Sequence, residues 1–504
     1  MASCAVARLP RSPPGNRVQT KTALFALPND LSGTDLRYVS TRGQAPVLDF
    51  ADVLLTGLAA DGGLYVPETW PILSKSEIAA LAGMSYAQAA ERIMAPFVGA
   101  SIEPQALKAM IADAYAQFRH PAVAPLVQIG PNDWILELFH GPTLAFKDVA
   151  MLLLARLMDH VLEKRGARAT IVGATSGDTG GAAIEAFRGR ARTDVFILFP
   201  DGRVSDVQRR QMTTAREDNV HALALSGNFD DCQAIVKGLF NDAGLRKQVA
   251  LSGVNSINWA RIVAQVVYYF TSAVALGAPH RPVSFTVPTG NFGDIFAGFV
   301  AARMGLPVER LVVATNVNDI LARTLQTGRY EVRSVVATSS PSMDIQVSSN
   351  FERLLFEANG RDAVAVNRWM DGLKQSGSFT LDDKTLGEIR RHFDAARTDE
   401  AECARTIRRV LDEAGYLADP HTAVGIAASR QVRGSAEVPM ITLSTAHPAK
   451  FPDAVEDAAG IRPGLPSWLS DLNEREERFT RLPADLAAVA DHVRSSTRVV
   501  AEGV

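Results

Sequence analysis

A chain of 504 residues, 47% hydrophobic and 21% charged, has the composition of a soluble globular protein and is too long for one small core. Its formal charge of −3 gives no global attraction to nucleic acid or to an anionic membrane, so an anionic substrate requires a local positive site. Cys4, Cys232 and Cys403 are too few and too far apart for a disulfide framework and suit a reducing, cytoplasmic setting. Neither a CxxC pair nor an HExxH helix occurs, so no metal site is expected.

Residues 1–36 carry Arg8, Arg11, Arg17 and Lys21, no acid before Asp30, and Pro10, Pro13 and Pro14. This composition reads as a disordered extension, although transit peptides are also basic and poor in acids. Within 37–125, Ile78, Leu81, Ala82 and Tyr86 recur at helical spacing, as do Leu107, Met110, Ile111 and Tyr115. An α-rich N-terminal domain follows from this, with Pro121 and Pro125 at its exit. Residues 126–480 alternate short apolar runs with amphipathic stretches. Candidate strands are Ala169–Val172, Val195–Leu198, Ala222–Leu225, Val283–Val287, Arg310–Ala314 and Met440–Leu443. Their spacing predicts βαβ units and a parallel sheet, with ligands at the C-terminal strand ends. The apolar run Ile262–Gly277 is shorter than the ~20 residues of a membrane span and predicts a buried helix. Between Asn350 and Ala418, basic and acidic residues interleave, as on a solvated helical face. Residues 481–504 read as a C-terminal helix and tail.

Three segments carry chemistry. His140-Gly141-Pro142-Thr143-Leu144-Ala145-Phe146-Lys147-Asp148 ends a tight apolar turn on a lysine. Ala174-Thr175-Ser176-Gly177-Asp178-Thr179-Gly180 and Pro288-Thr289-Gly290-Asn291-Phe292-Gly293-Asp294 each join a predicted strand to a predicted helix. Such loops aim backbone N–H groups and a positive helix end at an anion, and glycines permit close approach. A lysine amine between two such nests suits pyridoxal phosphate. Taken singly, Lys147 is an ordinary surface lysine, 288–294 an ordinary strand–helix turn, and 174–180 a capped helix start. No GxxxxGK[ST] occurs, which disfavours a nucleotide phosphate.

The three segments resemble those of threonine synthases. So do, in the same order, Ser40-Thr41-Arg42-Gly43, Asp61-Gly62-Gly63-Leu64-Tyr65-Val66-Pro67, Gln211-Met212-Thr213-Thr214, Asn255-Ser256-Ile257-Asn258-Trp259-Ala260-Arg261 and Thr445-Ala446-His447-Pro448-Ala449-Lys450-Phe451. The likeness runs from about Tyr38 to Val455 and is to the longer form with an extra N-terminal domain. It implies an α/β protein of pyridoxal-phosphate fold type II, like the tryptophan synthase β chain, with two parallel-sheet lobes plus the α-rich domain. It further implies conversion of O-phospho-L-homoserine and water to L-threonine and phosphate by a monomer or homodimer, with no nucleic-acid or membrane partner.

By the same resemblance, Lys147 is the Schiff-base lysine, and Gly290, Asn291, Phe292, Gly293 and Asp294 bind the cofactor. The Thr445 hydroxyl meets the cofactor's ring nitrogen. Thr175, Ser176, Gly177 and Thr179 grip the substrate carboxylate, while Asn258, Arg261 and Lys450 are candidates for the substrate phosphate. The rival readings are a threonine or serine dehydratase of the same fold and a catalytically silent synthase-like binding protein.

Overall fold

The computed structural model describes residues 36–499, so the predicted extension lies almost wholly outside the described residues. All six candidate strands form, as parts of two sheets. Five parallel strands make the smaller sheet, in the order Thr480–Pro483, Val220–Ser226, Thr193–Pro200, Ala169–Ala174, Leu251–Ser252. The larger has six, in the order Phe393–Arg397, Val308–Thr315, Val283–Pro288, Met440–Ser444, Asp133–Glu137, Leu126–Gly130. It is parallel except for its last pair. These are the two lobes of fold type II.

The apolar run forms the helix Trp259–Ala275, buried along nearly its whole length. A helix apolar on all sides needs partners on all sides. It finds them in Tyr86–Val98, Lys147–Lys164 and Gly293–Arg303. The N-terminal segment contributes the helices Phe50–Thr56, Lys75–Ala79, Tyr86–Val98 and Pro104–Tyr115 and an antiparallel pair, Tyr38–Ser40 with Tyr65–Pro67. Its rings close on the central helix: Tyr38 and Phe97 each lie 6.0 Å from Trp259. Arg42 pairs with Glu352 at 3.0 Å, which occupies that guanidinium in structure.

Several basic residues of 350–418 pair with nearby acids: Arg391 with Glu388, Arg405 and Arg409 with Glu402. At the C-terminal end, Thr480–Pro483 adds an edge strand to the smaller sheet. The helix Leu486–Ser496 then buries Val489 and Val493 against a cluster containing Phe196, Leu198 and Leu223.

One turn sets the start of the lysine helix. Asp148 accepts from the Thr143 N–H at 2.8 Å and the Thr143 hydroxyl at 2.6 Å. Gly141 leaves room for that carboxyl, since a Cβ there would come within 2.4 Å of Asp148 Oδ2. Leu144, at φ 60°, takes the left-handed region, and its carbonyl accepts from the His447 N–H at 3.0 Å. The Phe146 N–H donates to the Thr445 carbonyl at 2.8 Å. The lysine turn is therefore stitched to the strand extension at 445–447.

Two predictions follow from the packing and the turn. Val493→Ala should cost about 2 kcal/mol, read as a lower urea midpoint, because it empties a fully buried position under the smaller sheet. Burial pushes the Asp148 carboxyl up to about 7, against the pull of the Thr143 donors. A carboxyl raised above its ordinary ~3.9 contributes stability that is complete below that value and lost as pH rises through about 7. Asn in its place accepts from the Thr143 N–H, donates to its hydroxyl and does not titrate. The melting temperature of Asp148→Asn should therefore gain on wild type between pH 5 and 7.5; a constant gap contradicts the assignment.

Candidate active site

Lys147 opens its helix with a side chain 8% exposed, its Nζ 4.7 Å from the Phe146 ring centre. Its Nζ donates to Ser342 Oγ at 3.4 Å and Asp178 Oδ2 at 3.5 Å. Burial lowers its proton affinity; Asp178 opposes this, and the charges of Lys450 and Arg261 add to it. A buried amine with reduced proton affinity is a nucleophile in waiting.

Asp178 is the pivot of the cluster. Its Oδ1 accepts from Lys450 Nζ at 2.8 Å and Gln208 Nε2 at 2.9 Å. Its Oδ2 faces Lys147 and accepts from the Ser342 hydroxyl at 3.4 Å. Burial alone would raise this carboxyl, but Lys450 and Lys147 hold it well below the usual range. In the sequence Asp178 is simply part of the helix start at 174–180, and the one local sign of its role is an acid directly after a Ser-Gly turn.

The loop after Ala169–Ala174 is shaped by Thr175, whose hydroxyl accepts from the Gly177 and Gly180 N–H groups at 2.9 Å each. Gly177, at φ 144°, passes so close to Gln208 that a Cβ would come within 2.3 Å of its amide. Ser176 and Thr179 are half-buried, and their hydroxyls have no hydrogen-bond partner among the described residues.

The loop after Val283–Pro288 offers backbone donors. The amides of Gly290, Asn291 and Phe292 have no acceptor among the described residues, and Gly293 begins the next helix. Phe292 takes the left-handed conformation at φ 62° and turns its ring into the core, 5.4 Å from Phe351 and 5.7 Å from Phe393. Only its backbone is available to a ligand. The Asp294 carboxyl is pushed up to about 6 by burial; Tyr268 and Tyr269 donate to its Oδ1, and its Oδ2 has no partner among the described residues. Thr445, 5% exposed, adjoins the lysine through the bond to Phe146.

The three candidates for a substrate phosphate differ sharply. Asn258 caps the central helix through Oδ1, on the Ala260 N–H at 3.0 Å, and ties in the Leu54 carbonyl through Nδ2 at 2.8 Å. Lys450, fully buried, spends its three N–H bonds on Asp178, the Thr143 carbonyl at 2.7 Å and Gln211 Oε1 at 3.1 Å. Lys450 therefore has no donor left over, and Asn258 holds its place as a cap and a tie to Leu54. Arg261, 4% exposed, has one hydrogen bond, from Nη1 to the Val254 carbonyl at 3.0 Å. Its Nε is buried without a partner, and it forms no ion pair among the described residues. Burial lowers its guanidinium to about 10. An uncompensated buried guanidinium is costly unless an anion completes it.

His140 pairs with Glu137 at 2.8 Å and lines a separate cavity of about 570 Å³ with Tyr416, His447 and Trp468. Among the described residues no cluster of metal-ligating side chains occurs, and no helix is long and apolar enough to cross a membrane.

A buried low-affinity lysine between one loop of unused amides and one of unpartnered hydroxyls, backed by surplus positive charge, fits a phosphorylated aldehyde cofactor. Comparison with known proteins agrees. Family models match along the chain: "Threonine synthase N terminus" at residues 37–115, "Pyridoxal-phosphate dependent enzyme" at 122–441 and "Threonine synthase, C-terminal" at 422–493. The threonine synthase of Pseudomonas aeruginosa is 56% identical over 455 residues, covering 90% of this chain and 97% of its own. The crystal structure of PLP-bound threonine synthase from Brucella melitensis superposes with a TM-score of 0.90 at 62% identity, covering 92% of this chain and all of that one. The yeast threonine synthase structure gives 0.87 at 40% identity, covering 92% and 99%. The chain belongs to the threonine synthase family of pyridoxal-phosphate-dependent enzymes.

Proposed function

We propose that the chain converts O-phospho-L-homoserine and water to L-threonine and phosphate, acting in the cytoplasm as a monomer or homodimer. The observation that carries this reading is Lys147: a buried amine of lowered proton affinity, beside a loop of unused N–H groups, a loop of free hydroxyls and an unpaired arginine.

Lys147 Nζ would hold the cofactor, with its phosphate on the amides of Gly290, Asn291, Phe292 and Gly293. The free amides and the strand–helix geometry support this, as does the positive end of the Gly293–Arg303 helix. Asp294, bound by two tyrosines behind the loop, would shape it rather than touch the phosphate. Thr445 would present a neutral hydroxyl to the ring nitrogen. Bound pyridoxal phosphate supplies the electron sink for carbon-centred charge in elimination and replacement, and a neutral partner tempers it.

The protein's own groups orient the substrate and move protons. Ser176 and Thr179 would receive the α-carboxylate, with Thr175 fixing the loop from within through the Gly177 and Gly180 N–H groups. Arg261 would receive the phosphate through its unused donors. Asn258 and Lys450 would act at one remove, by holding the Arg261 helix and Asp178. Lys147, once its nitrogen is free, is positioned as the base that takes up and returns protons at the substrate's α and β carbons. In the net reaction the γ carbon–oxygen bond breaks, phosphate leaves, water gives its hydroxyl to the β carbon, and the γ carbon becomes a methyl group. A dehydratase has no need of a second anion site, so the unpaired Arg261 favours the synthase over that rival.

Lys147→Ala should abolish turnover and the visible absorbance of the bound cofactor while leaving the fold intact. Borohydride treatment of the wild type followed by peptide mapping should label Lys147; a label on another lysine would overturn the assignment. Arg261→Gln should lower kcat/KM for O-phospho-L-homoserine by at least ~30-fold, about 2 kcal/mol, and weaken competition by inorganic phosphate. Unchanged phosphate inhibition would remove Arg261 from the substrate site.

A further inference from the structure

The site contains a buried acid–imidazole pair for which the reaction has no evident use. Asp419, fully buried, caps the helix Pro420–Gln431 by accepting from the N–H groups of His421 at 2.9 Å and Thr422 at 3.3 Å. It also accepts from the Thr422 hydroxyl and from His421 Nδ1, the latter at 2.9 Å. The Ser342 N–H donates to His421 Nε2 at 3.3 Å, so Nε2 is the ring's acceptor and Nδ1 its donor to Asp419.

Ser342 belongs to a segment held over the cofactor loop from several sides. Asp344 accepts from the Thr338 N–H and hydroxyl at 2.9 and 2.7 Å, and from Asn316 and Asn318 at 2.7 and 3.0 Å. Ser348 donates to the Gly290 carbonyl at 2.7 Å. The Ser342 carbonyl sits where a Cβ on Gly290 would come within 2.5 Å of it. So held, the Ser342 hydroxyl lies 3.4 Å from both Lys147 Nζ and Asp178 Oδ2. Such bonds are often long before ligands bind and tighten in the working complex.

Asp178 is a weak base for Lys147, because the charges of Lys450 and Lys147 hold its proton affinity well below the usual carboxylate range. Its hydrogen-bonding companion at Lys147 is Ser342. We propose that Ser342 is a positioning residue of the active site, its hydroxyl orienting the Lys147 nitrogen, and that the buried Asp419–His421 pair fixes Ser342 in that place. The inference rests on Lys147 carrying the cofactor. The charged groups acting on Lys147 are Asp178, Lys450, Arg261 and Asp294, and all stay intact in the variants below.

The test uses the cofactor-loaded full chain and reads kcat, KM and the pH midpoint of the visible band. A hydroxyl accepting from the Lys147 nitrogen favours its protonated form, so losing it moves the midpoint down. Ser342→Ala should lower the midpoint and reduce kcat by ~10-fold with little change in KM, whereas Ser342→Thr should restore both. His421→Asn keeps an amide against Asp419 but is too short to reach Ser342, and should behave like Ser342→Ala. His421→Gln, whose carbonyl reaches the Ser342 N–H, should lie near wild type. Wild-type kcat and midpoint in Ser342→Ala overturn the proposal. A His421→Asn enzyme that loses thermal stability alone shows that the pair merely caps its helix, and overturns its positioning role. Either failure leaves the Lys147 assignment standing, since that falls only if Lys147→Ala retains the visible band.

Discussion

Two buried ammonium groups face one buried carboxylate: Lys147 and Lys450 on either side of Asp178. Burying three charges is tolerable only when each is paired and hydrogen-bonded. Here Lys450 satisfies all its donors on Asp178, Thr143 and Gln211, and Gln208 completes Asp178. The pairing leaves Lys147 only loosely engaged, and with Arg261 the pocket carries a net positive surplus. An acidic protein thereby obtains a local site for anions, which its overall charge of −3 denies it. The same arrangement keeps Asp178 ionised, so the carboxylate tunes its neighbours and does not compete for their protons.

The rest of the fold brings these groups together from distant parts of the chain. The two sheets present loops at the C-terminal ends of Ala169–Ala174, Val283–Pro288 and Met440–Ser444, as open α/β sheets do. The 445–447 extension grips the lysine turn through main-chain bonds, so Thr445 and Lys147 are placed by one short stretch of pairing. The N-terminal segment supports the central helix from the other side: Tyr38 and Phe97 pack on Trp259, and Asn258 reaches across to Leu54. It thus bears on the site through the helix Trp259–Ala275, whose first turn carries Arg261.

Much of this was legible in the residues. Six apolar runs announced six strands because each is buried on both faces and reads as continuous hydrophobicity. The lysine turn and both loops cluster glycine, proline and hydroxyl residues, but each alone reads as ordinary, and their roles became legible only through the joint resemblance to threonine synthases. What stayed hidden depends on contacts between remote positions. Ser342 lies in an irregular segment, and only folding brings it over Lys147. Asn258 and Lys450 are candidates by resemblance, but Asn258 caps its helix and ties in Leu54 while the Lys450 donors go to Asp178, Thr143 and Gln211, which no local pattern reveals. Thr480–Pro483 escaped notice because an exposed edge strand has no apolar alternation to betray it.

The most direct test of the account is a crystal structure of the protein with pyridoxal phosphate and a phosphonate analogue of the substrate. The account predicts the cofactor phosphate on the amides of 290–293, the analogue's carboxylate on 176–179 and its phosphonate on Arg261, with Lys450 still bound to Asp178. A phosphonate seated on Lys450, with the Asp178 pair broken, would contradict it.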